Sequence, residues 1–280
     1  MTAFSAGDPV VVASIARTPI GDFNGALSGA SATELGATAV KAALERSGIG
    51  GEAIDRVYMG CVLPAGLGQN PARQAALGAG LPLGAQATTV NKVCGSGMQA
   101  AIMGAEALAC GAVHVVVAGG MESMTNAPYL LKKYRAGARV GHDTVYDHVF
   151  LDGLEDAYDA GTAMGVFAQQ SADEYQFTRE QMDEFSLESL RRAQQAIASG
   201  GFAGEIAPVT VKGRKGGVTV DTDEAPGRTV PDKIPELRPA FAKDGTITAA
   251  SSSKISDGAA ALVLTRESVA RAQGLSPVAR

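Results

Sequence analysis

The chain has 280 residues, 46% of them hydrophobic and 19% charged, and a formal net charge of −5. This composition is typical of a globular protein with one large or two small domains, and the negative charge argues against nucleic acid as a partner. No uncharged apolar stretch approaches the roughly 18 residues that a membrane helix needs, and the N-terminus lacks the pattern of a secretory signal.

The first predicted elements are a strand and a helix. PVVVASIART (9–18) is a short apolar run, which predicts a buried strand. SATE (31–34) is a capping-box pattern, so a helix should begin there and run to about Arg46, with Gly48 as its stop.

Alternating strands and helices follow. Residues 55–64 predict a second strand and residues 70–80 a helix. The third strand, 87–93, leads directly into Cys94, and the apolar run after it predicts a helix before another strand at 112–120. Strand, helix and strand at this spacing indicate a βαβ unit with parallel strands. The 35 glycines and absence of tryptophan also favour closely packed layers of an α/β protein.

The segment 121–247 has a different character, because it is polar, broken and rich in proline. TREQ (178–181) predicts a capped helix that ends near the Gly200–Gly201 pair. At 247–265 a loop and an apolar strand follow, as if the chain re-entered the first domain. We therefore expect 121–247 to be an inserted domain. No internal repeat is evident.

Cys94 lies where a strand ends and a helix begins. The positive end of a helix dipole favours an anion, hence the nucleophilic thiolate. The neighbouring glycines leave room for an acyl group and for backbone N–H groups that face an oxyanion. The helix behind Cys94 carries only one charge, Glu106, and is expected to be buried all round. Alternatively, Cys94 is a packing residue at a tight turn.

The other two cysteines, Cys61 and Cys110, are interpreted as structural residues. Three cysteines without CxxC spacing indicate neither a disulfide framework nor a zinc site. This usage fits a reducing, cytoplasmic location.

Seven motifs, in this order, resemble the thiolase family, and in particular acetyl-CoA C-acetyltransferases of the acetoacetyl-CoA type. They are RTPIGDFNGAL (17–27), GQNPARQAAL (68–77), NKVCGSGMQA (91–100), GGMESMTNAPYL (119–130), MG (164–165), LRPAF (237–241) and TAASSSKISDGAAALVL (248–264).

The resemblance implies a layered α-β-α-β-α fold of two similar halves, with a loop domain inserted in the first half. It assigns residues 1–120 and 248–270 to the domain that carries the nucleophile. Residues 121–247 become the CoA-binding loop domain, and 271–280 the start of a C-terminal domain.

The resemblance also implies the chemistry. Cys94 accepts an acyl group from acyl-CoA, and a second acetyl-CoA attacks the thioester to give acetoacetyl-CoA; the reverse reaction is thiolytic cleavage of a 3-ketoacyl-CoA. Ser253 matches a serine that binds pantetheine, Met164 lines the same tunnel, and Arg228 matches a basic residue near the nucleotide. No metal or further cofactor is implied, and the family forms homodimers or homotetramers.

The chain departs from the family pattern in three places. Ala163 stands where a histidine often precedes the Met-Gly pair, which leaves the acyl-chain preference open. Lys254 replaces a small residue near the pantetheine path. The GHP and CxGxG motifs, which carry the acid–base residues, belong to a C-terminal half that would begin near GLSPVAR (274–280), and His114, His142 and His148 do not match them.

Two other functions are considered. A truncated or split subunit would bind CoA or a partner without turnover, which the missing motifs favour, whereas the intact NKVCGSG favours an enzyme. A condensing enzyme of the ketoacyl-synthase kind is disfavoured by GGMESM and SDGAAALVL, which are thiolase-like.

Overall fold

The structure, a computed structural model, describes residues 7–213 and 216–280. The described residues fall into two compact units. Among the described residues, unit 1 consists of 7–126, 204–213, 216–222 and 256–280, and unit 2 of Ala127–Ala203 and Asp223–Ile255.

The strands and α-helices alternate along the first part of the chain, as the periodicity predicts. In chain order they are β1 (Val10–Arg17), β2 (Gly21–Asp22), α1 (Ala32–Ser47), β3 (Arg56–Gly60), α2 (Pro71–Gly78), β4 (Gln86–Val90), α3 (Ser96–Ala109), β5 (Val115–Ser123), β6 (Tyr129–Leu130), β7 (Tyr146–Asp147), α4 (Met164–Glu174), α5 (Arg179–Ala198), β8 (Val209–Gly213), β9 (Gly216–Val220), α6 (Glu224–Arg228), β10 (Ser256–Arg266) and α7 (Glu267–Ala272).

The central sheet of unit 1 has the strand order β1-β10-β5-β3-β4, and β2 pairs with β10. Strand β3 is parallel to both β4 and β5, whereas β10 is antiparallel to both β1 and β5. The parallel strands are joined by α2 and α3, because parallel neighbours need a long crossover connection.

Two hydrophobic clusters lie on opposite faces of this sheet. Along β5, Val115 and Val117 belong to the cluster that contains α1 and α2, while Val116 and Ala118 belong to the cluster that contains α3. A strand buried on both faces is apolar at consecutive positions, which explains the unbroken run VVVA in the sequence. Unit 1 is therefore a helix–sheet–helix sandwich, and the predicted layered α/β fold is confirmed.

The predicted helix ends of α1 and α5 are present. Ser31 and Thr178 each cap a helix in a reciprocal capping box with Glu34 and Gln181, respectively. Gly48 ends α1 with a φ of 70°, a left-handed conformation that glycine adopts without steric cost.

The hairpin of β8 and β9 belongs to unit 1, which corrects the expectation that its residues are part of the insertion. The Arg46 guanidinium donates hydrogen bonds to the carbonyls of Glu205 and Ile206, just before the hairpin. Val209 of β8 is buried in the same cluster as α1. These contacts explain why the chain belongs to unit 1 between the two segments that form unit 2.

Residues 271–280, expected to begin a further domain, also lie in unit 1. Ala279 forms a bridge with Val12 of β1, and Leu275 packs against the hydrophobic cluster on the α1 face.

In the part of the chain that the structure describes, no helix is long and apolar enough to cross a membrane.

Unit 2 is built around α4 and α5. The Arg179 guanidinium at the start of α5 bonds the Asp183 carboxylate at 2.7 Å and donates to the carbonyls of Ile234 and Pro235. These bonds join α5 to the segment that follows α6.

Candidate functional site

Cys94 lies in a tight turn between β4 and α3, not at the end of a strand. Strand β4 ends at Val90, and α3 begins at Ser96 with Gly95 as its N-cap residue. Cys94 is exposed. The residue before it, Val93, has a φ of 49°, a left-handed conformation that is unusual for a β-branched side chain.

Side chains on both sides of Cys94 hold this turn. The Asn91 Oδ1 atom accepts a hydrogen bond from the Val93 N–H at 2.9 Å. The Ser96 hydroxyl accepts from the Lys92 N–H at 2.8 Å and donates to the Val93 carbonyl at 2.5 Å. The backbone on either side of Cys94 is therefore held by hydrogen bonds.

Glycines allow the start of α3 to lie directly on the sheet. A Cβ atom on Gly60 of β3 would lie 2.7 Å from backbone atoms of Ser96 and Gly97, and one on Gly120 of β5 would lie 3.4 Å from the Gly97 Cα. A larger residue at position 60 would push the helix, and Cys94 with it, away from the sheet.

Only one face of α3 is buried, which corrects the expectation that the helix is buried all round. Ser96, Ala100, Gly104 and Leu108 are buried, whereas Met98 is 73% and Ile102 42% exposed. The sheet covers one side of α3, and apolar character alone does not determine whether the other side of a helix is covered.

The other two cysteines have different surroundings. Cys110 is exposed at the C-terminal end of α3. Cys61 is buried after β3, and its Sγ atom lies 3.6 Å from Oε1 of Glu122. Burial and the negative charge of Glu122 raise the pKa of Cys61 to about 12. Sequence reasoning missed Glu122, since no local pattern links two residues so far apart in the chain.

Unit 2 contains a cavity of about 1070 Å³. It is lined by Phe177, by residues of α5, by residues in the range 225–237 and by residues 249–254. The lining includes the apolar residues Phe177, Met182, Phe185, Leu190, Val230 and Ile234, and its charged members are Lys233 and Lys254. The cavity thus combines apolar walls with positive charge.

Of the predicted binding residues, Ser253 lines this cavity. The hydroxyl groups of Ser251 and Ser252 both donate to the Thr248 carbonyl. By contrast, no described residue hydrogen-bonds the Ser253 hydroxyl, which is on an exposed residue. Among these three serines, Ser253 therefore has a hydroxyl available to a ligand.

The other two predicted binding residues do not line the cavity. Arg228, at the end of α6, pairs with Glu224 at 2.6 Å, and its neighbour Thr229 is a lining residue. Met164 is the first residue of α4 and is 42% exposed, and Ala163 precedes it as the N-cap residue.

Two of the histidines, His148 and His114, lie in different surroundings. His148 is buried in unit 2, with Nδ1 2.7 Å from the Asp152 carboxylate, while His114 is exposed beside β5. Within residues 7–213 and 216–280, no cluster of three or more His, Cys, Asp or Glu side chains is arranged to hold a metal ion.

Comparison with known proteins gives a consistent family assignment. The profile of the family described as "Thiolase, N-terminal domain" matches residues 10–268. An acetyl-CoA acetyltransferase of Rhizobium meliloti is 49% identical over 273 residues, which cover 97% of this chain and 69% of that protein. An acetyl-CoA acetyltransferase of Escherichia coli is 50% identical over 272 residues, covering 96% of this chain and 69% of that protein.

A solved structure has the same fold. The crystal structure of Acat5 thiolase from Ascaris suum in complex with coenzyme A superposes with a TM-score of 0.90 at 42% identity. The match covers 96% of this chain and 69% of that one. The motif resemblance is thereby confirmed, and the chain belongs to the thiolase family.

Proposed function

We propose that this chain is the nucleophile-bearing part of an acetyl-CoA C-acetyltransferase, which condenses two acetyl-CoA molecules to acetoacetyl-CoA or cleaves a 3-ketoacyl-CoA with CoA. The observation that carries the proposal is the exposed Cys94 in a turn just before α3, which is held by hydrogen bonds to the side chains of Asn91 and Ser96. Its relatives include proteins named acetyl-CoA acetyltransferase, which favours this activity over a subunit that binds CoA without turnover.

Acyl transfer to Cys94 follows from that position. The thiolate of Cys94 attacks the thioester carbon of acyl-CoA, so that a bond from Sγ to the acyl carbon forms. The bond from that carbon to the CoA sulfur then breaks, and CoA leaves as a thiolate that takes up a proton. The N–H groups in the first turn of α3, apart from that of Ser96, which donates to the Val93 carbonyl, lack intrahelical acceptors and suit the oxyanion.

The cavity of unit 2 is the proposed site for the CoA part of the substrate. CoA combines an apolar pantetheine arm with phosphate groups, and the cavity combines apolar walls with Lys233 and Lys254. The Ser253 hydroxyl is available to the pantetheine amides. Met164 and Arg228 remain proposed contacts by resemblance. Unit 2 is accordingly proposed as the CoA-binding loop domain, with acyl-CoA as its substrate and no further cofactor.

Acetylation of Cys94 by acetyl-CoA tests this function. We expect intact-mass spectrometry to detect one added acetyl group and peptide mapping to place it on Cys94. Cys110→Ser is the matched control, because Cys110 is also exposed and lies at the other end of the same helix. Cys94→Ser should abolish the modification and Cys110→Ser should leave it unchanged. Acetylation that persists in Cys94→Ser would refute the assignment.

The proposal also covers the oligomeric state of the protein and its cellular compartment. By resemblance the chain forms a homodimer or homotetramer, which sedimentation at micromolar concentration checks; a monomer would contradict it. A cytoplasmic location is supported by Cys61, Cys94 and Cys110, all of which are free thiols.

A further inference from the structure

The strained residue beside the proposed nucleophile needs a specific support. Val93 has a φ of 49°, a conformation that costs energy for a non-glycine residue and persists only where its surroundings hold it. Val93 is also 51% exposed, so packing of its side chain contributes little to holding it. Its two peptide groups must therefore be held by hydrogen bonds.

Asn91 supplies one of those bonds and Ser96 the others. Asn91 Oδ1 accepts from the Val93 N–H at 2.9 Å. The Val93 carbonyl accepts from the Ser96 hydroxyl at 2.5 Å and from the Ser96 N–H at 3.0 Å. Ser96 is part of α3 itself, whereas Asn91 is outside both β4 and α3. Asn91 is therefore the side chain outside α3 that fixes the backbone where the chain enters the turn.

Asn91 is itself connected to the segment after β3. Its Nδ2 atom lies 3.5 Å from the Val62 carbonyl, at the limit of a hydrogen bond. The Val62 N–H donates to the Glu122 carboxylate at 2.8 Å. An asparagine suits this position because it has an acceptor for Val93 and a donor for Val62 in one planar group.

We propose that Asn91 is a positioning residue, which stabilises the left-handed Val93 and so keeps Cys94 at the N-terminus of α3. This inference rests on the proposed function, since it assumes that the position of Cys94 matters for acyl transfer. Asn91 itself does not react. Its contribution is to the population of the turn conformation that keeps Cys94 next to the first turn of α3.

The test is a rescue experiment on the rate of Cys94 modification. Asn91→Ala should slow both acetylation by acetyl-CoA and alkylation by iodoacetamide at neutral pH by about tenfold, as expected for the loss of one hydrogen bond that holds the turn. Val93→Gly alone should stay within about twofold of the parent, because glycine adopts a positive φ without strain. The double variant Asn91→Ala/Val93→Gly should recover most of the lost rate.

Gln99→Ala is the matched control, because it removes another side-chain amide next to the turn, the one that binds the Lys92 ammonium at 2.8 Å. It should leave both rates unchanged. An Asn91→Ala rate equal to the parent rate, or a double variant as slow as Asn91→Ala, would overturn the proposal. General misfolding would not be rescued by Val93→Gly. If acetyl-CoA fails to modify the parent protein, the proposed function fails, whereas the alkylation rates still decide the role of Asn91.

Discussion

The Cys61 thiol lies 3.6 Å from the Glu122 carboxylate, which also accepts hydrogen bonds from the backbone N–H groups of Val62 and Leu63. One carboxylate therefore fixes the segment after β3, and burial together with the charge of this carboxylate raises the pKa of Cys61 and keeps it protonated. Cys61 and Cys94 belong to the same unit, but Cys61 is buried beside a carboxylate, whereas Cys94 is exposed next to the N-terminus of α3.

The stability of the protein should fall at alkaline pH because of Cys61. Burial, with the Glu122 charge as a further cause, raises the pKa of this thiol from 9.0 to about 12. The contribution to stability is complete below about pH 9, and it is lost as pH rises through about 12, because the unfolded chain releases the proton first. Between these values the loss should be about 1.4 kcal/mol per pH unit.

Urea unfolding at several pH values checks this prediction. The matched variant is Cys61→Ala, which removes the titrating group. Its unfolding free energy should fall less steeply with alkaline pH than that of the parent protein. Parallel pH profiles for the two proteins would contradict the predicted linkage.

Cys94 should be the most reactive of the three thiols. Cys61 is buried, and Cys110 lies at the C-terminal end of α3, away from the N–H groups of the first turn of that helix. Brief iodoacetamide treatment of the folded protein, followed by peptide mapping, should find the label first on Cys94. Preferential labelling of Cys61 or Cys110 would contradict the proposal.

Lys254 and Ser253 should contribute to CoA binding. Lys254→Gly removes a cation from the cavity lining and should weaken CoA binding, but not the binding of a pantetheine fragment that lacks phosphate. Ser253→Ala should weaken both by about 0.5–1.5 kcal/mol, as expected for one hydrogen bond. Titration calorimetry measures these effects.

Lys243→Ala is the control for both variants, because Lys243 is exposed in unit 2 and lies outside the cavity lining. Tighter CoA binding by Lys254→Gly would contradict the prediction and show that the lysine obstructs the site.

Gly60→Ala should both destabilise unit 1 and slow the modification of Cys94. The new Cβ would lie 2.7 Å from backbone atoms of Ser96 and Gly97. Overpacking of this kind typically costs about 1–3 kcal/mol. Gly84→Ala is the control, since no atom lies within 4 Å of its added Cβ. Equal unfolding free energies and equal acetylation rates for the two variants would exclude close packing at Gly60 as a determinant of the turn.

The features predicted from the sequence are those with local causes. The caps at Ser31 and Thr178 involve residues three positions apart, and the apolar run of β5 reflects burial on two faces, so both are visible in short windows. Cys94 is predicted as the nucleophile from local pattern too, because it stands between a strand pattern and a helix pattern.

The features that escaped prediction depend on distant contacts or on strained backbone. Val93 favours extended structure by propensity, yet hydrogen bonds from Asn91 and Ser96 hold it in a left-handed conformation. Glu122 reaches Cys61 only because β5 and β3 are neighbours in the sheet. The return of the chain at 204–222 depends on Arg46, whose carbonyl partners are about 160 positions away.

The position of β10 determines when the sheet can be completed during synthesis. This strand lies between β1 and β5, and pairs Arg266 with Val10 and Asp257 with Ser123, although it is the last of the described strands along the chain. Pairings between residues so far apart require large loops to close, which slows folding. During synthesis, the edges of β1 and β5 that pair with β10 must therefore stay unpaired with it until residue 266 has been made.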